Sequence, residues 1–197
     1  MNTEPLTDRD SLLAGTVAGV GAWVVGYVVV YLIAGTRIEE SVLNRFVEAF
    51  GGESATYELV GWVFFDAHFV ETVVDVQIAF LDSQSTVRLV GGEDGFTAAL
   101  YLVPPVLLLL AGVVVGRLSG TTEPADGAVA GTFVVPPYAL FCLLGAVVFQ
   151  VSVGGSSGGP GLLEAAFVAG ILYPAVFGGV GGAIGAATAD EGADRLR

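Results

Sequence analysis

The chain has 197 residues, of which 54% are hydrophobic and only 14% charged, against about 25% charged residues in an ordinary soluble domain. Its net charge is −13, and all seven basic residues are Arg. This balance excludes the usual soluble globular class and argues against nucleic-acid partners, which need a basic face, while a single cysteine (Cys142) and a single histidine (His68) exclude an internal disulfide and Cys/His zinc spacing.

A short polar tail, 1–11, precedes the first apolar run, 12–34. Three more charge-free runs follow at 96–116, 127–153 and 165–189. At 1.5 Å per residue, each is long enough to cross about 30 Å of hydrocarbon as a helix. The first run exceeds the roughly 7–15 apolar residues of a signal peptide. It also follows Glu4, Asp8 and Asp10 rather than a basic stretch. It therefore reads as a retained anchor. The expected fold is an all-α membrane protein, a four-helix transmembrane bundle with a structured extracytoplasmic loop over 35–95, in one membrane domain.

Small residues at Gly15, Gly19, Ala22 and Gly26 form a stripe on the first helix. Small-xxx-small spacing lets helix backbones approach closely, so these are expected packing positions. The same reading covers Gly112 and Gly116 on the second helix and Gly178 and Gly182 on the fourth. A homo-oligomer seam is an alternative use of the stripe.

Within the loop, Thr36-Arg37-Ile38-Glu39 has capping-box spacing. Ile38, Val42, Phe46 and Phe50, with Leu43 and Val47, give one apolar helical face. Gly51-Gly52 supplies a stop. An amphipathic helix is expected over 37–50, lying either in the interface or on its own loop. Residues 59–70 are too short and too interrupted to span and read as interfacial or partly buried, with Trp62, Phe64, Phe65 and Phe69 as an aromatic belt. Val74, Val76, Ile78 and Phe80 alternate. A small β-hairpin pairing 73–80 with 86–90 is expected, although a helical pattern also fits Val70, Val73, Val74, Gln77 and Ile78. Asp66, His68, Glu71 and Asp75 form a polar cluster in sequence. A carboxylate beside a His can tune a general base or hold a cation, but no nucleophile motif accompanies it, and a loop-packing His is the favoured reading.

Pro104-Pro105, Pro136-Pro137 and Pro174 fall within the second, third and fourth runs. Mid-helix proline removes a hydrogen bond and kinks the helix. The freed carbonyls can serve a midplane pathway, or the kinks can simply shape the bundle. No ionisable side chain lies in the core of any span, which argues against proton relays and ion-coupled carriers. Gln150 and Glu164, near the outer ends of the third and fourth helices, are the candidates for a polar lining. Residues 154–160 (GGSSGGP) read as a flexible turn. No catalytic residue, metal ligand or cofactor site is expected.

Arg9, Arg117, Arg195 and Arg197 lie on one side of the spans, and Arg37, Arg45 and Arg88 on the other. Their density places both termini in the cytoplasm. The expected partners are the lipid bilayer and either a second copy or another membrane protein, with no nucleic acid.

The Lys-free acidic composition, Gly-Trp-Val-Phe-Phe-Asp-Ala-His-Phe-Val at 61–70 and Leu-Tyr-Pro-Ala-Val-Phe-Gly-Gly at 172–179 resemble uncharacterised multi-pass membrane proteins of haloarchaea. The resemblance covers most of the chain. It implies a high-salt habitat and a cell-membrane location, and it brings no activity and no functional residues. The expected function is that of a non-enzymatic membrane component or accessory subunit. The alternative is a small oligomeric transporter or channel with its pathway near the prolines.

Overall fold

A computed structural model describes residues 8–78, 81–91 and 95–189. It is mostly helical, with four long apolar helices and a small antiparallel sheet. The long helices cover Ser11–Glu39, Ala98–Leu118, Pro124–Val148 and Leu162–Ala187. The elements are α1 (Asp8–Glu39), α2 (Val42–Gly51), α3 (Thr56–Asp66), β1 (Thr72–Ile78), β2 (Leu81–Val87), α4 (Val103–Leu118), α5 (Pro124–Gly131), α6 (Val135–Val148), β3 (Val151–Val153), β4 (Ser156–Pro160), α7 (Leu162–Glu164) and α8 (Gly179–Ala187).

The chain divides into two compact units, and each long helix contributes a segment to both. The first unit takes residues up to Val25, then Pro104–Phe141, and the chain from Gly170 onward. It is built on close backbone contact. A β-carbon on Gly112 would strike the carbonyl of Gly178, and one on Gly116 would strike that of Gly182. Gly131 meets the same Gly178 carbonyl, and Gly127 the same Gly182 carbonyl. Two helices thus converge on two glycines of the last helix. Gly15 packs on Phe133, and Gly19 on Val134 and Pro137. Without side chains between them, the backbones gain dispersion contacts that bulkier residues would prevent.

The prolines sit where helical pitch changes. A 3-10 segment, Ala98–Leu102, precedes Pro104, and another, Thr132–Val134, precedes Pro136. Pro104 has no N–H for the carbonyl of Leu100, so the N–H of Val103 takes that carbonyl in an i→i+3 bond. Val135 does the same for Thr132 ahead of Pro136. Pro174 lies at the start of a π segment, Pro174–Gly178, that follows another, Ala165–Leu172. An i→i+5 register carries the helix past the missing proline donor. Pro104 and Pro105 lie in the first turn of α4, just after the Ala98–Leu102 3-10 turn and inside the continuous helical stretch Ala98–Leu118.

The second unit, Gly26–Val103 with Cys142–Ala169, holds the loop elements and the sheet. Four expectations are corrected here. The capping box at Thr36 is not used: α1 runs on to Glu39, and Ser41 caps α2 by accepting from the N–H of Asn44. Ala34 and Ile38 are buried, so packing continues the first helix beyond its apolar run. Of the two readings of 59–70 the buried one holds and the surface belt does not: α3 has Leu59, Val60, Val63, Phe64 and Phe65 buried, with Phe69 exposed. Phe149 stacks on Tyr27 at 5.3 Å and meets Phe65 edge-on at 6.2 Å, and this aromatic cluster supplies what a lipid contact would otherwise provide. The hairpin forms as β1–β2, but residues 81–85, expected as its turn, belong to β2 and pair with β1. Phe80 lies outside the described residues.

The fourth correction is the largest. The third helix ends at Val148, not 153, and 151–160 is a second hairpin rather than a flexible turn. Gly154 and Gly155 take φ of 60° and 89°, the left-handed pair that a two-residue reversal between right-twisted strands requires. β4 pairs with β1, matching Val74 with Gly158 and Asp75 with Ser157. The sheet order is β2-β1-β4-β3. An all-α description with one hairpin is thereby replaced by helices plus a four-stranded antiparallel sheet.

Candidate functional site

The period of two in a strand gives the sheet two chemically different faces. One carries Val74, Val76, Val87, Val151 and Val153; with Trp62 and the apolar face of α2 it lines a cavity of about 530 Å³ that is open on one side. The contribution of α2 is Leu43, Phe46, Val47 and Phe50, with the Phe46 and Phe50 rings 4.6 Å apart. Gln77, Ser156 and Ser157 are polar lining groups, and none of the described lining residues is ionisable.

The placement of α2 depends on Asn44, a residue the sequence reading missed. Its side chain is buried and donates to the carbonyl of Glu39 at 3.2 Å and to Ser54 at 3.1 Å. It also accepts from the N–H of Ala55 at 3.0 Å. One amide thus ties the end of α1, α2 and the start of α3 together. The signal was present: Asn44 stands three residues after the Ser41 cap, where such amides bond backbone groups. At the other end of α2, the N–H of Gly52 bonds the Glu48 carbonyl with φ of 85°.

Trp62 fixes the floor of the cavity. Its indole N–H donates to the carbonyl of Phe149 at 2.7 Å, just past the end of α6. Gly158 lies against the Trp62 ring, where a β-carbon would not fit, and Gly61 lies against the Phe149 ring in the same way.

The opposite sheet face is polar. Val73, Asp75, Gln84 and Gly159 line a second cavity of about 360 Å³ with Gln150 and Glu164. Asp75 faces Gln84 across the β1–β2 pair. Gln150 is committed locally: its side-chain amide donates to the Ala146 carbonyl at 2.9 Å and, at 3.4 Å, to that of Pro160. Glu164 packs over Gly161 at the start of α7.

The sequence cluster at 66–75 is divided among separate environments. Asp66 is fully buried at the end of α3, and its Oδ2 accepts from the N–H groups of both Leu89 and Val90. Its Oδ1 has no hydrogen-bond partner. Burial pushes the carboxyl pKa up, against the opposing pull of the two amides and of Arg88. His68 is fully buried, and its Nδ1 lies 2.8 Å from the Phe64 carbonyl. Burial pushes its pKa down to about 4. Glu71 instead forms an exposed ion pair with Arg88, Nε to Oε1 at 2.7 Å, which holds its pKa below the usual carboxylate range. Between these residues Phe69 takes φ of 61°, rare for a side chain with a β-carbon, and stacks on Tyr101 at 4.4 Å. Tyr101 in turn donates to the Val90 carbonyl. The arrangement is a corner that fastens α3 to the segment after β2.

Of the remaining expected residues, Ala22 and Gly26 are buried on α1, on the same stripe as Gly15 and Gly19. Gly112, Gly116, Gly178 and Gly182 meet at the glycine junction, together with Gly127 and Gly131, which the spacing pattern did not single out. Pro104 and Pro174 are buried, while Pro105, Pro136 and Pro137 are in part exposed. Neither cavity is lined by any of these five prolines. Among the described residues, no group of three or more His, Cys, Asp or Glu could hold a metal ion. Cys142 is buried.

No curated protein and no solved structure matches the chain. A family profile matches residues 1–189, nearly the whole length. The chain belongs to DUF7978, a family of unknown function.

Proposed function

We propose that this is a multi-pass membrane protein, with its four long helices across the bilayer, that acts as a non-enzymatic component presenting its sheet and α2 at the outer membrane interface. One observation carries the membrane reading: only 28% to 39% of the most apolar window in each long helix is buried within the protein. Leu32, Val17, Phe167 and Leu163 are among the large apolar side chains left outside. In water such surface would drive aggregation; in lipid it is matched by hydrocarbon. The test is extraction. A chain recovered monodisperse from the aqueous fraction, without detergent, overturns the membrane reading.

The non-enzymatic reading is supported by how the loop uses its polar groups. Asp66 is fully buried with one oxygen held by two backbone amides, His68 is sealed and neutral, and Glu71 is paired with Arg88. A general base needs an exposed, poised group. The Arg distribution supports cytoplasmic termini in the cell membrane, although Arg195 and Arg197 lie outside the described residues. A reporter fused after Asp94 reads orientation, and a cytoplasmic signal there reverses it. The acidic, Lys-free composition supports a high-salt habitat, which solubility and melting temperature across a salt series test.

A second reading, a small transporter or channel, is favoured by Gln150 and Glu164 meeting in one polar cavity. Solute uptake into proteoliposomes tests it, and uptake unchanged by Glu164→Gln counts against it.

A further inference from the structure

From the chemistry and size of the cavity under α2, we propose that it binds one hydrocarbon chain of a membrane lipid that ends in an uncharged hydrogen-bonding group. The inference rests on the membrane reading above for the source of the chain and names what the presented surface takes. Valines of the sheet, Phe46, Phe50 and Trp62 offer apolar walls, and none of the described lining residues offers a counter-charge to a carboxylate, phosphate or ammonium. A charged end buried there would go uncompensated. Ser156, which shares the face of Gly158 and Val153 and whose Oγ accepts from the Gln77 N–H at 3.1 Å, keeps its own O–H to donate to a hydroxyl or ester oxygen.

The cavity holds about 530 Å³ between the apolar face of α2 and the sheet. A flexible chain fits that volume, which lies in the ordinary range for small-ligand sites.

Position supplies the route. Trp62 is bonded to the residue after α6, and the cavity residue Val151 follows the end of α6 by three residues. An extended chain covers that gap in about 10 Å at most. The headgroup layer outside the hydrocarbon is about 5–8 Å deep on each side. The cavity thus begins at or just above headgroup level, within reach of a chain whose remainder stays in the bilayer.

The chain has only two tryptophans, so Trp23→Phe leaves Trp62 as the sole emitter. The full-length variant, purified in detergent, is titrated with a dibrominated long-chain alcohol. The expected result is saturable quenching of Trp62, reversed by excess unbrominated alcohol and much weaker with the dibrominated fatty acid at neutral pH. Val76→Glu, which places a charge on the apolar face, is expected to abolish the saturable component. The competition needs no such variant, so misfolding of Val76→Glu leaves the test intact. Quenching that grows linearly and ignores the competitor reflects micelle partition and overturns the proposal. Concentration-dependent shielding of Trp62 by a second copy overturns it, as does displacement of the alcohol by a short apolar peptide. A protein that needs no detergent but still quenches saturably removes the membrane reading alone.

Discussion

The carbonyl of Gly178 occupies the space that a β-carbon on Gly112 would need. The same carbonyl blocks a β-carbon on Gly131, so one peptide group is the contact point for two other helices. Backbone cannot rotate away as a side chain can, and this junction should be the least tolerant place in its unit.

Gly112→Ala and Gly131→Ala are each expected to destabilise by about 1–3 kcal/mol or more through overpacking. Gly21 on α1 has nothing within 4 Å of its β-carbon position. Gly21→Ala should be neutral or stabilise by up to about 1 kcal/mol, since alanine is the better helix former. Thermal melting of the three variants in one detergent checks the contrast. Equal melting temperatures would mean that the helices are not packed at these glycines.

Asp66→Ala removes the acceptor for two backbone donors, those of Leu89 and Val90. Leaving both unsatisfied is expected to cost roughly 2–6 kcal/mol. Asp66→Asn keeps an acceptor oxygen in place and should cost far less, about 1 kcal/mol. Hydrogen exchange at residues 89 and 90 should accelerate strongly in the alanine variant and little in the asparagine one.

His68 links stability to pH. Its folded pKa, about 4, is below the ordinary 6.5. Between these values the unfolded chain takes up a proton that the folded one refuses, so stability falls as pH falls, by about 3 kcal/mol from this group. Glu71 acts in the same direction at lower pH, since its folded pKa is depressed. Asp66 opposes them: its folded pKa is raised, and the folded state gains as pH falls through that value. His68→Gln should therefore flatten melting temperature against pH between about 6.5 and 4. An unchanged slope would place the histidine in contact with water.

Trp62→Phe deletes the donor to the Phe149 carbonyl. The expected loss is about 1–3 kcal/mol, from one unsatisfied buried acceptor and the smaller ring. A melting curve matching that of the parent would show that the bond is not maintained.

Local pattern alone determined much of this protein. Long apolar runs specified four helices, because helical bonding satisfies the backbone within the run itself. The alternation of Val74 and Val76 specified β1, and the spacing of Leu43, Phe46, Val47 and Phe50 specified the apolar face of α2. Small-residue spacing marked the positions of close approach. Tertiary structure decided what met what. Thr36 and Glu39 form a sound capping box locally, yet buried Ala34 and Ile38 carry α1 through it. Ser-Ser-Gly-Gly-Pro has no strand propensity of its own and becomes β4 because β1 offers it hydrogen bonds along a register of four residues. The polar residues from Asp66 to Asp75, neighbours in sequence, separate because a helix end, a turn and a strand aim successive side chains in different directions. Periodicity records how a segment meets its own backbone, whereas burial and pairing are set by partners distant in the chain, and no single stretch of sequence carries that information.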